Sequence, residues 1–474
     1  MAASTLVMKF GGTSVGTPEA MRNAIDIVRQ AHGEWPHLVV VTSALSGVTD
    51  LLLKSMDQAV AGDLDAISQG QRRLREMHAA VIQQLIVDSD RQESVTQTVE
   101  QLLSEYADLV RAVAVLGEAS PRAADAVASL GERMCVPILA AALSSAGVPS
   151  MAVEATRLIV TDDNYQDAHP NIERSTEQTR RELLPLLSEG MTPIVTGFIG
   201  ATPDGVITTL GRGGSDYSAA LIGVALPADE VWIWTDVDGV MSADPRIVPT
   251  ACTIPSLCFR EISELAYYGA KVLHPKTIRP VIEAGIGLRV LNSFNPTHPG
   301  TEIVANGVPV GSGIMKAVTA IRNLRLITIE GRGMLGIPGV AAKAFSAVAS
   351  TKTSVPLITQ ASSEQSICFA VPSSAAPQVI AALEQKFGDE IRRRDIDRID
   401  ASQDVVIITV VGAGMQKTPG VAGRVFNALG EQKVNVIAIA QGSSEVSISL
   451  VVDAADEKSA LIAIHNLIVE KETV

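Results

Sequence analysis

The first stretch whose residue types could do chemistry is KFGGTSVG, residues 9–16. The apolar run 5–8 before it predicts a buried strand, and Thr17-Pro18-Glu19 after it is typical of a helix start. A strand, a glycine loop and a helix N-terminus direct backbone N–H groups at one point, where a phosphate can bind. Gly11 and Gly12 allow close approach of the backbone, and Lys9 supplies a cation beside them.

A second glycine loop, residues 211–216, again precedes a predicted helix. Two such loops predict a polyphosphate site, because phosphoryl transfer depends on positioning and charge neutralisation. Lys9, Arg212 and Lys271 are the cations beside glycines or at loop–helix junctions. Asp216 could orient the lysines or help to hold Mg²⁺, although a carboxylate in a first helical turn commonly just complements the helix dipole.

A rival interpretation comes from Gly12-Thr13-Ser14-Val15-Gly16, which matches the GxSxG nucleophile elbow of serine hydrolases. That chemistry also needs an oxyanion loop of the HGGG type, which the sequence lacks. The elbow normally follows several strands, whereas here it follows the first one. The hydrolase hypothesis also leaves Lys9 and the glycine pair unexplained, so we rank it below a kinase.

Other candidate residues have ordinary explanations by spacing alone. Glu132 lies in a predicted helix, where a glutamate is usually a solvated charge. Asp236 and Asp238 follow a predicted strand at 230–235 and are typical of a turn. His274 precedes a proline and could act as a base, but such a histidine more often packs or caps a helix.

Composition excludes several classes of function. The 474 residues suffice for two to four domains, and 47% hydrophobic with 19% charged residues indicates a globular chain. A net charge of −14 makes nucleic acid and anionic membranes poor partners. Four cysteines without CxxC spacing predict reduced, buried thiols. The uncharged stretch 134–153 contains proline and glycine and predicts helix, turn and strand instead of a membrane span, so we expect a cytoplasmic protein without a signal peptide.

The order of predicted elements indicates two kinds of architecture. Alternating strands and helices up to about residue 300 predict a mostly parallel α/β sheet, interrupted by a helical hairpin over 64–116. An internal repeat follows, because GMLGIPGVAAKAF from Gly333 returns as GMQKTPGVAGRVF from Gly414, an offset of 414 − 333 = 81. Each repeat predicts a small ferredoxin-like α+β module.

Together these motifs resemble the aspartate kinases of the amino-acid kinase family. The resemblance rests on KFGGTSVG, VVVTSALSGVTDLL (39–52), SLGE (129–132), TGFIG (196–200), TTLGRGGSDYSA (208–219), WTDVDGV with ADPR (234–246) and YGAKVLHP (268–275), in this order along the chain. It implies a kinase α/β sandwich over 1–305 and two ACT modules over 315–395 and 400–474. The implied reaction converts ATP and L-aspartate to 4-phospho-L-aspartate and ADP with Mg²⁺, towards lysine, threonine and methionine.

The resemblance also assigns roles to residues. It places nucleotide contacts at Lys9, Gly11, Gly12, Ser14, Ser215, Thr235, Asp236, Arg246 and Lys271. It places aspartate contacts at Ser43, Thr49, Glu132, Phe198 and Arg212, with Lys9, Asp216 and Lys271 as catalytic residues. In this scheme Glu132 meets the substrate ammonium and Arg212 the carboxylates. Met241 departs from many relatives, which have tyrosine there, so an aromatic contact to the nucleotide is not expected.

The repeat region resembles that of the bifunctional aspartate kinase–homoserine dehydrogenases. There, glutamines at the positions of Gln360 and Gln441 contact a threonine effector, although two strand-end glutamines without a ligand would look the same. Threonine, lysine, both or neither remain possible effectors. We expect a homo-oligomer, and either a monofunctional enzyme or the kinase half of a longer protein. Another amino-acid kinase, such as acetylglutamate kinase or glutamate 5-kinase, and a non-catalytic effector-binding subunit are the alternatives.

Overall fold

The computed structural model describes residues 4–268, 273–304, 313–360 and 365–469. Their contacts divide the chain into two compact units. The first contains residues 1–240, 253–259 and 272–307, and the second contains 241–252, 260–271 and 308–474, in each case for the residues described. Two short segments of the N-terminal half, 241–252 and 260–271, therefore belong to the same unit as the C-terminal half.

The elements up to residue 304 alternate between strands and helices. In chain order they are β1 (Thr5–Phe10), α1 (Gly12–Val15), α2 (Pro18–Glu34), β2 (His37–Thr42), α3 (Val48–Val60), α4 (Asp65–Leu85), α5 (Ser89–Leu116), α6 (Pro121–Ser145), β3 (Ser150–Val153), α7 (Ile172–Ser188), β4 (Thr192–Thr196), β5 (Ile199–Ala201), β6 (Ile207–Thr209), α8 (Gly214–Ala225), β7 (Glu230–Thr235), β8 (Ser256–Cys258), α9 (Phe259–Tyr267), α10 (Pro275–Glu283), β9 (Gly287–Asn292) and β10 (Thr301–Val304).

Eight of these strands form one sheet in the order β3-β4-β2-β1-β7-β9-β10-β8. In this spatial order, each strand from β3 to β9 runs parallel to its neighbour, whereas β9 and β10 are antiparallel. The central strand β1 is buried along nearly its whole length, which explains its run of apolar residues. The predicted mostly parallel α/β sheet is confirmed.

The carboxyl ends of four parallel strands meet at one edge of this sheet. Hydrogen bonds continue the ladder past the strand ends, from Gly11 N to Trp234 O (3.2 Å), from Ser43 N to Phe10 O (3.1 Å) and from Gly197 N to Thr42 O (2.9 Å). The loops after β1, β2, β4 and β7 are thereby fixed beside one another. Ligands of such sheets bind at this edge.

The predicted helical hairpin is confirmed as α4 and α5, which pack with α3 and α6. Helix α6 is long and apolar enough to cross a membrane by length and composition, but 78% of its most apolar window is buried inside the protein. It ends at Ser145 and is followed by a turn and β3, as the proline and glycine content predicts. Its apolar residues belong to the core of the first unit.

Two residues separate β4 of the large sheet from β5. β4 ends at Thr196, and β5 begins at Ile199. Phe198 between them has φ = 70°, a left-handed backbone conformation that residues other than glycine rarely adopt. Strand β5 then pairs with β6 in an antiparallel hairpin.

The C-terminal half repeats one pattern of elements. It comprises β11 (Ala317–Glu330), α11 (Val340–Ser350), β12 (Leu357–Gln360), β13 (Ser366–Pro372), α12 (Ala376–Lys386) and α13 (Gly388–Arg393), then β14 (Arg398–Val411), α14 (Val421–Glu431), β15 (Ala438–Ala440), β16 (Ser447–Asp453) and α15 (Glu457–Val469). The predicted α+β repeat is confirmed. The two copies share one antiparallel sheet in the order β12-β13-β11-β14-β16-β15, in which the long strands β11 and β14 pair.

Buried polar contacts attach segments 241–252 and 260–268 to the second unit. Glu261 accepts hydrogen bonds from Lys316 Nζ (2.9 Å) and from Ala413 N (2.7 Å), and both members of the ion pair are at most 3% exposed. Ser242 Oγ lies 2.9 Å from Nε2 of the buried His465 on α15. The N-terminal half therefore supplies polar groups to the core around the second repeat.

The expectation of four buried thiols is partly wrong. Cys135 and Cys258 are buried, but Cys368 is half-buried and Cys252 is exposed. Cys252 lies in the short segment 241–252, which has no strand or helix to bury it.

Candidate active site

A cavity of about 520 Å³ opens at the carboxyl edge of the large sheet. Its lining comes from the ends of β1 and β6, from the loops after β2, β3, β4 and β6, from α3 and α6 and from the start of α8. The lining residues are Lys9, Ser43, Thr49, Leu53, Ala124, Asp125, Ala128, Glu132, Gln166, Phe198, Thr209, Gly211, Arg212, Gly213, Gly214, Ser215 and Asp216. The structure thus brings together the catalytic and substrate residues that the sequence predicts within the described residues.

Lys9 and Asp216 connect the two glycine loops. Lys9 Nζ lies 2.6 Å from Asp216 Oδ1, and the two side chains are 12% and 13% exposed. Asp216 is in the first turn of α8, so its carboxylate faces the lysine at the end of β1. Asp216 therefore does more than complement its own helix, because it also fixes the position of the mobile lysine.

The first glycine loop approaches the loop after β2 closely. A Cβ atom on Gly12 would lie 3.1 Å from the carbonyl oxygen of Ala44. Ser43, one residue earlier, donates a hydrogen bond from Oγ to Ser215 Oγ over 3.0 Å. The first loop, the loop after β2 and the start of α8 are therefore in mutual contact around Lys9.

Helix α8 presents its N-terminus to the cavity. Its N-cap is Gly213, with φ = 75°, and no side chain caps the first turn. Backbone N–H groups at such an end bind anions. Phe198 packs against this turn and donates its backbone N–H to Ser218 Oγ (3.1 Å), which holds its left-handed conformation.

Glu132 is buried, which contradicts the spacing-based interpretation of a solvated charge. It is 3% exposed, and its Oε1 accepts a hydrogen bond from Ala44 N (3.1 Å). Burial raises the pKa of Glu132 to about 8, although the Ala44 hydrogen bond and the charge of Lys9 act in the opposite direction. Its Oε2 has no hydrogen-bond partner among the described residues. Helix α6 thus supplies a buried carboxyl group to the lining of the cavity.

Arg212 supplies the opposite charge. It lies between two glycines of the second loop and lines the same cavity. Its guanidinium forms no ion pair with any carboxylate in the part of the chain that the structure describes. Among the residues described, this cavity is therefore lined by an arginine without an ion-pair partner and by a glutamate whose Oε2 has no hydrogen-bond partner.

Ser14 is not placed as a nucleophile. Its side chain is fully buried, and its Oγ hydrogen-bonds with Ser293 Oγ over 2.8 Å. Ser293 Oγ also lies 3.0 Å from the carbonyl oxygen of Thr235. The buried hydroxyl ties the first glycine loop to the end of β7, so the hydrolase hypothesis is wrong.

The predicted nucleotide residues at the end of β7 lie beside the first loop. Thr235 Oγ1 donates to the exposed Asp236 (3.2 Å), and neither residue lines the cavity. Asp238 accepts hydrogen bonds from the side-chain amides of Asn292 (2.8 Å) and Asn295 (3.0 Å), so it stabilises the turn. His274 caps α10 by accepting from Lys276 N (3.3 Å), as its position before proline predicts.

Arg246, Gln360 and Gln441 are not among the residues that line this cavity. Arg246 belongs to the second unit, and its guanidinium pairs with Asp244 (2.8 Å). Gln360 is exposed at the end of β12, whereas Gln441 lines a separate cavity of about 370 Å³ in the second repeat. Lys271 lies outside the described residues.

Asp125 is a site residue that the sequence analysis missed. It lines the cavity from α6, is 1% exposed, and accepts hydrogen bonds from three donors, two on Thr209 at the end of β6 and one on Gln166 in the loop after β3. Burial raises the pKa of Asp125, and these donors counteract the rise. An aspartate inside a predicted helix gives no signal of this role, because its partners are 41 and 84 residues away.

Comparisons with known proteins identify the families of the two parts of the chain. The model of the amino acid kinase family matches residues 4–292, and that of the ACT domain matches 327–387 and 408–467. Bifunctional aspartokinase/homoserine dehydrogenase 1 from Zea mays, a chloroplastic protein, is 36% identical over 471 residues, which are 97% of this chain and 50% of that protein. The chain thus spans about half the length of the bifunctional relatives it matches.

Solved structures match nearly the whole chain. Escherichia coli aspartokinase III in complex with aspartate and ADP has a TM-score of 0.79 at 30% identity, covering 98% of this chain and 99% of that one. The same enzyme in complex with lysine and aspartate has a TM-score of 0.77 at 30% identity, covering 98% and 100%.

Proposed function

Because the chain belongs to the aspartokinases of the amino acid kinase family, we propose that it transfers the γ-phosphoryl group of ATP to the side-chain carboxylate of L-aspartate. The product is 4-phospho-L-aspartate, an entry compound for lysine, threonine and methionine synthesis. E. coli aspartokinase III, which is similar over its whole length, binds aspartate and ADP.

One observation supports this substrate most directly. The cavity carries an unsatisfied Glu132 Oε2 and an Arg212 guanidinium without an acidic partner among the residues described. A free amino acid with a second carboxylate has both complementary groups, since its ammonium suits Glu132 and a carboxylate suits the planar fork of Arg212. Ser43 and Thr49 add hydroxyl groups to the same wall, and Phe198 adds an apolar face.

The reaction requires no general base. The side-chain carboxylate of aspartate is ionised at neutral pH, so its oxygen can attack the γ-phosphorus directly. The new O–P bond forms as the bond between the γ-phosphorus and the β–γ bridging oxygen breaks, and ADP leaves with that electron pair. Lys9, oriented by Asp216, neutralises charge on the transferred phosphoryl group, and Lys271 is the predicted second cation.

The nucleotide is assigned to the loops beside this cavity. Gly11, Gly12 and the uncapped start of α8 with Ser215 suit phosphate groups, and Ser14 holds the first loop in place. Mg²⁺ is normally bound by one or two carboxylates and the nucleotide phosphates, and Asp216 at the cavity fits that donor set. When bound, the ion would neutralise phosphate charge. Thr235, Asp236 and Arg246 remain proposed nucleotide residues.

Regulation by an amino acid is a further part of the proposal. The second repeat contains a cavity of about 370 Å³ lined by Gln441, Glu445 and the start of α14. E. coli aspartokinase III binds lysine, which supports an amino-acid effector for this chain. We place the effector at Gln441 and Gln360, with threonine or lysine as the candidates, in modules bounded by 315–395 and 400–474 after a kinase domain over 1–305. A cytoplasmic homo-oligomer is proposed.

An assay of ADP release with Mg-ATP tests this function. L-aspartate supports turnover in the proposal, whereas L-glutamate and N-acetyl-L-glutamate do not. Turnover with either of the longer acids alone would assign the chain to another amino-acid kinase activity. No turnover with any of the three would favour the non-catalytic subunit.

A further inference from the structure

The buried Asp125 joins two segments of the cavity wall that are distant in sequence. Its Oδ1 accepts a hydrogen bond from Thr209 Oγ1 (2.8 Å), and its Oδ2 accepts from Thr209 N (2.9 Å) and from Gln166 N (3.0 Å). Thr209 ends β6, two residues before the loop that carries Arg212. Gln166 belongs to the loop between β3 and α7. The carboxylate thus accepts three hydrogen bonds and holds both segments against α6.

The loop at Gln166 is held in an unfavourable conformation. Gln166 has φ = 73°, the left-handed region that a non-glycine residue adopts only where its surroundings impose it. Its backbone N–H donates to Asp125, and Ala168 N donates to the Thr209 carbonyl oxygen (2.9 Å). Asp167, between them, pairs with Lys276 at the start of α10 (2.8 Å). The hydrogen bonds of Asp125 therefore stabilise a strained turn.

This turn lies directly against the arginine loop. Gly211 has φ = 72°, and a Cβ atom there would lie 2.8 Å from Asp167 Oδ1 and 3.0 Å from the Gln166 carbonyl oxygen. The backbone of the loop that carries Arg212 thus packs directly against the turn, and there is no room for a side chain at position 211. A displacement of the turn would move Gly211 and, with it, the neighbouring Arg212.

We propose that Asp125 is a positioning residue for the substrate arginine. Its carboxylate fixes the 166–167 turn and the end of β6, and these two supports set where the Arg212 guanidinium stands in the cavity. Asp125 acts through its neighbours, since all three of its donors belong to the protein. The inference rests on the proposed function, because Arg212 is there the residue that receives the substrate carboxylate.

An asparagine at this position tests the idea, because it has the same shape but replaces one acceptor oxygen with a donor. In Asp125→Asn an NH₂ group replaces one of the two acceptor oxygens. The side chain can then no longer accept hydrogen bonds from all three donors at once. We expect the KM for aspartate to rise about tenfold or more, while the KM for ATP stays within about twofold. A purely structural role would instead lower the active fraction and change both KM values little.

A gentler pair of variants covers the case in which Asp125→Asn does not fold. Thr209→Val removes one donor and keeps the β-branched shape, and Thr209→Ser keeps the hydroxyl. Thr209→Val is expected to raise the KM for aspartate selectively, and Thr209→Ser to return it towards the wild-type value. Asp108→Asn on α5, where the aspartate is exposed, is the matched control and should leave both KM values unchanged.

The outcomes separate the two proposals. A wild-type protein that does not turn over aspartate contradicts the proposed function before any variant is compared. A wild-type protein that does, with an unchanged KM for aspartate in folded Asp125→Asn and Thr209→Val, overturns the positioning role alone. Equal increases in the KM for aspartate and for ATP would overturn it as well.

Discussion

Lys9 Nζ and Asp216 Oδ1 are 2.6 Å apart, although their residues lie on different glycine loops 207 positions apart in the chain, 216 − 9. Lys9 is the penultimate residue of the buried strand β1 and Asp216 lies in the first turn of α8, so the ion pair ties both glycine loops to one point. About one eighth of each side chain is exposed, which leaves the pair accessible from the cavity.

Replacing this lysine should abolish turnover without unfolding the protein. Lys9→Met keeps the length and apolar stem of the side chain but removes the charge that, in the proposed reaction, neutralises the transferred phosphoryl group. We expect kcat to fall about 10³-fold or more, as for other preorganised charges at a transition state. ADP release measures the rate, and far-ultraviolet circular dichroism confirms the fold.

The control for this variant is Lys54→Met, because Lys54 is exposed on α3 and lies outside the cavity. It should keep wild-type activity. Activity close to wild type in folded Lys9→Met would show that the first glycine loop is not the site of phosphoryl transfer.

Binding of aspartate should release a proton at neutral pH. Burial raises the pKa of Glu132 to about 8, so the free protein holds this carboxyl protonated at pH 7. The substrate ammonium favours the ionised form, and binding therefore drives the proton off. Affinity should improve with rising pH, by about tenfold per unit well below the pKa, and level off above it. Titration calorimetry in two buffers of different ionisation enthalpy measures the number of protons released, because the difference between the two binding heats is proportional to it.

Glu132→Gln is the control for this titration. It cannot ionise, so it should bind aspartate weakly, with the pH dependence and the released proton both lost. Equal binding heats for the wild type in the two buffers at pH 7 would refute the coupling between Glu132 and the substrate.

The buried ion pair of Lys316 and Glu261 should be important for the stability of the second unit. Lys316→Met removes the ammonium group that lies 2.9 Å from the buried Glu261 carboxylate, and we expect a loss of about 3–5 kcal/mol in the free energy of unfolding. The double variant Lys316→Met/Glu261→Gln should recover part of this loss, because a neutral amide keeps an oxygen for Ala413 N. Urea titration measures both variants.

Arg111→Met serves as the surface comparison, since it breaks an ion pair with Asp108 whose side chains are both mostly exposed. Its unfolding midpoint should match the wild type. If Lys316→Met were equally innocuous, the attachment of segment 260–268 to the second unit would not depend on this pair.

Effector sensitivity should depend on the glutamines of the two repeats. Gln441→Ala removes a polar group from the cavity of the second repeat, and Gln360→Ala changes its counterpart at the end of β12. Each should raise the half-inhibitory concentration of threonine or lysine about tenfold or more, without lowering the uninhibited rate. Rates over a series of effector concentrations give this comparison.

Gln432→Ala, an exposed glutamine after α14, is the matched substitution and should leave inhibition unchanged. Unchanged inhibition curves for Gln360→Ala and Gln441→Ala would refute the effector placement. A wild-type enzyme indifferent to both amino acids would refute the choice of effectors.

Local patterns predicted much of this molecule. Strands and helix starts around Lys9 and Arg212 follow from apolar runs, glycines and caps, which act over a few residues. The repeat offset of 81 predicted two modules of the same order of elements, which the structure confirms. It did not predict that β11 and β14 pair into one continuous sheet, because strand pairing is non-local.

Burial of single charges was harder to predict. By spacing, Glu132 and Asp125 look like ordinary helical acids, and only the resemblance to a family distinguished Glu132. Their environment is set by Ala44, Gln166 and Thr209, which are between 41 and 88 residues away. That segments 241–252 and 260–271 belong to the second unit could not be predicted for the same reason. No local pattern marks a chain that leaves one core and returns to it.

The most direct test of the proposed reaction identifies the product. Wild-type protein is incubated with Mg-ATP, L-aspartate and hydroxylamine, which converts an acyl phosphate to a stable hydroxamate, and the hydroxamate is analysed by mass spectrometry against α- and β-aspartyl standards. The β-aspartyl hydroxamate, formed in step with ADP and absent with Lys9→Met, is the predicted result. The α-isomer, or ADP release without any hydroxamate, would contradict phosphorylation of the aspartate side chain.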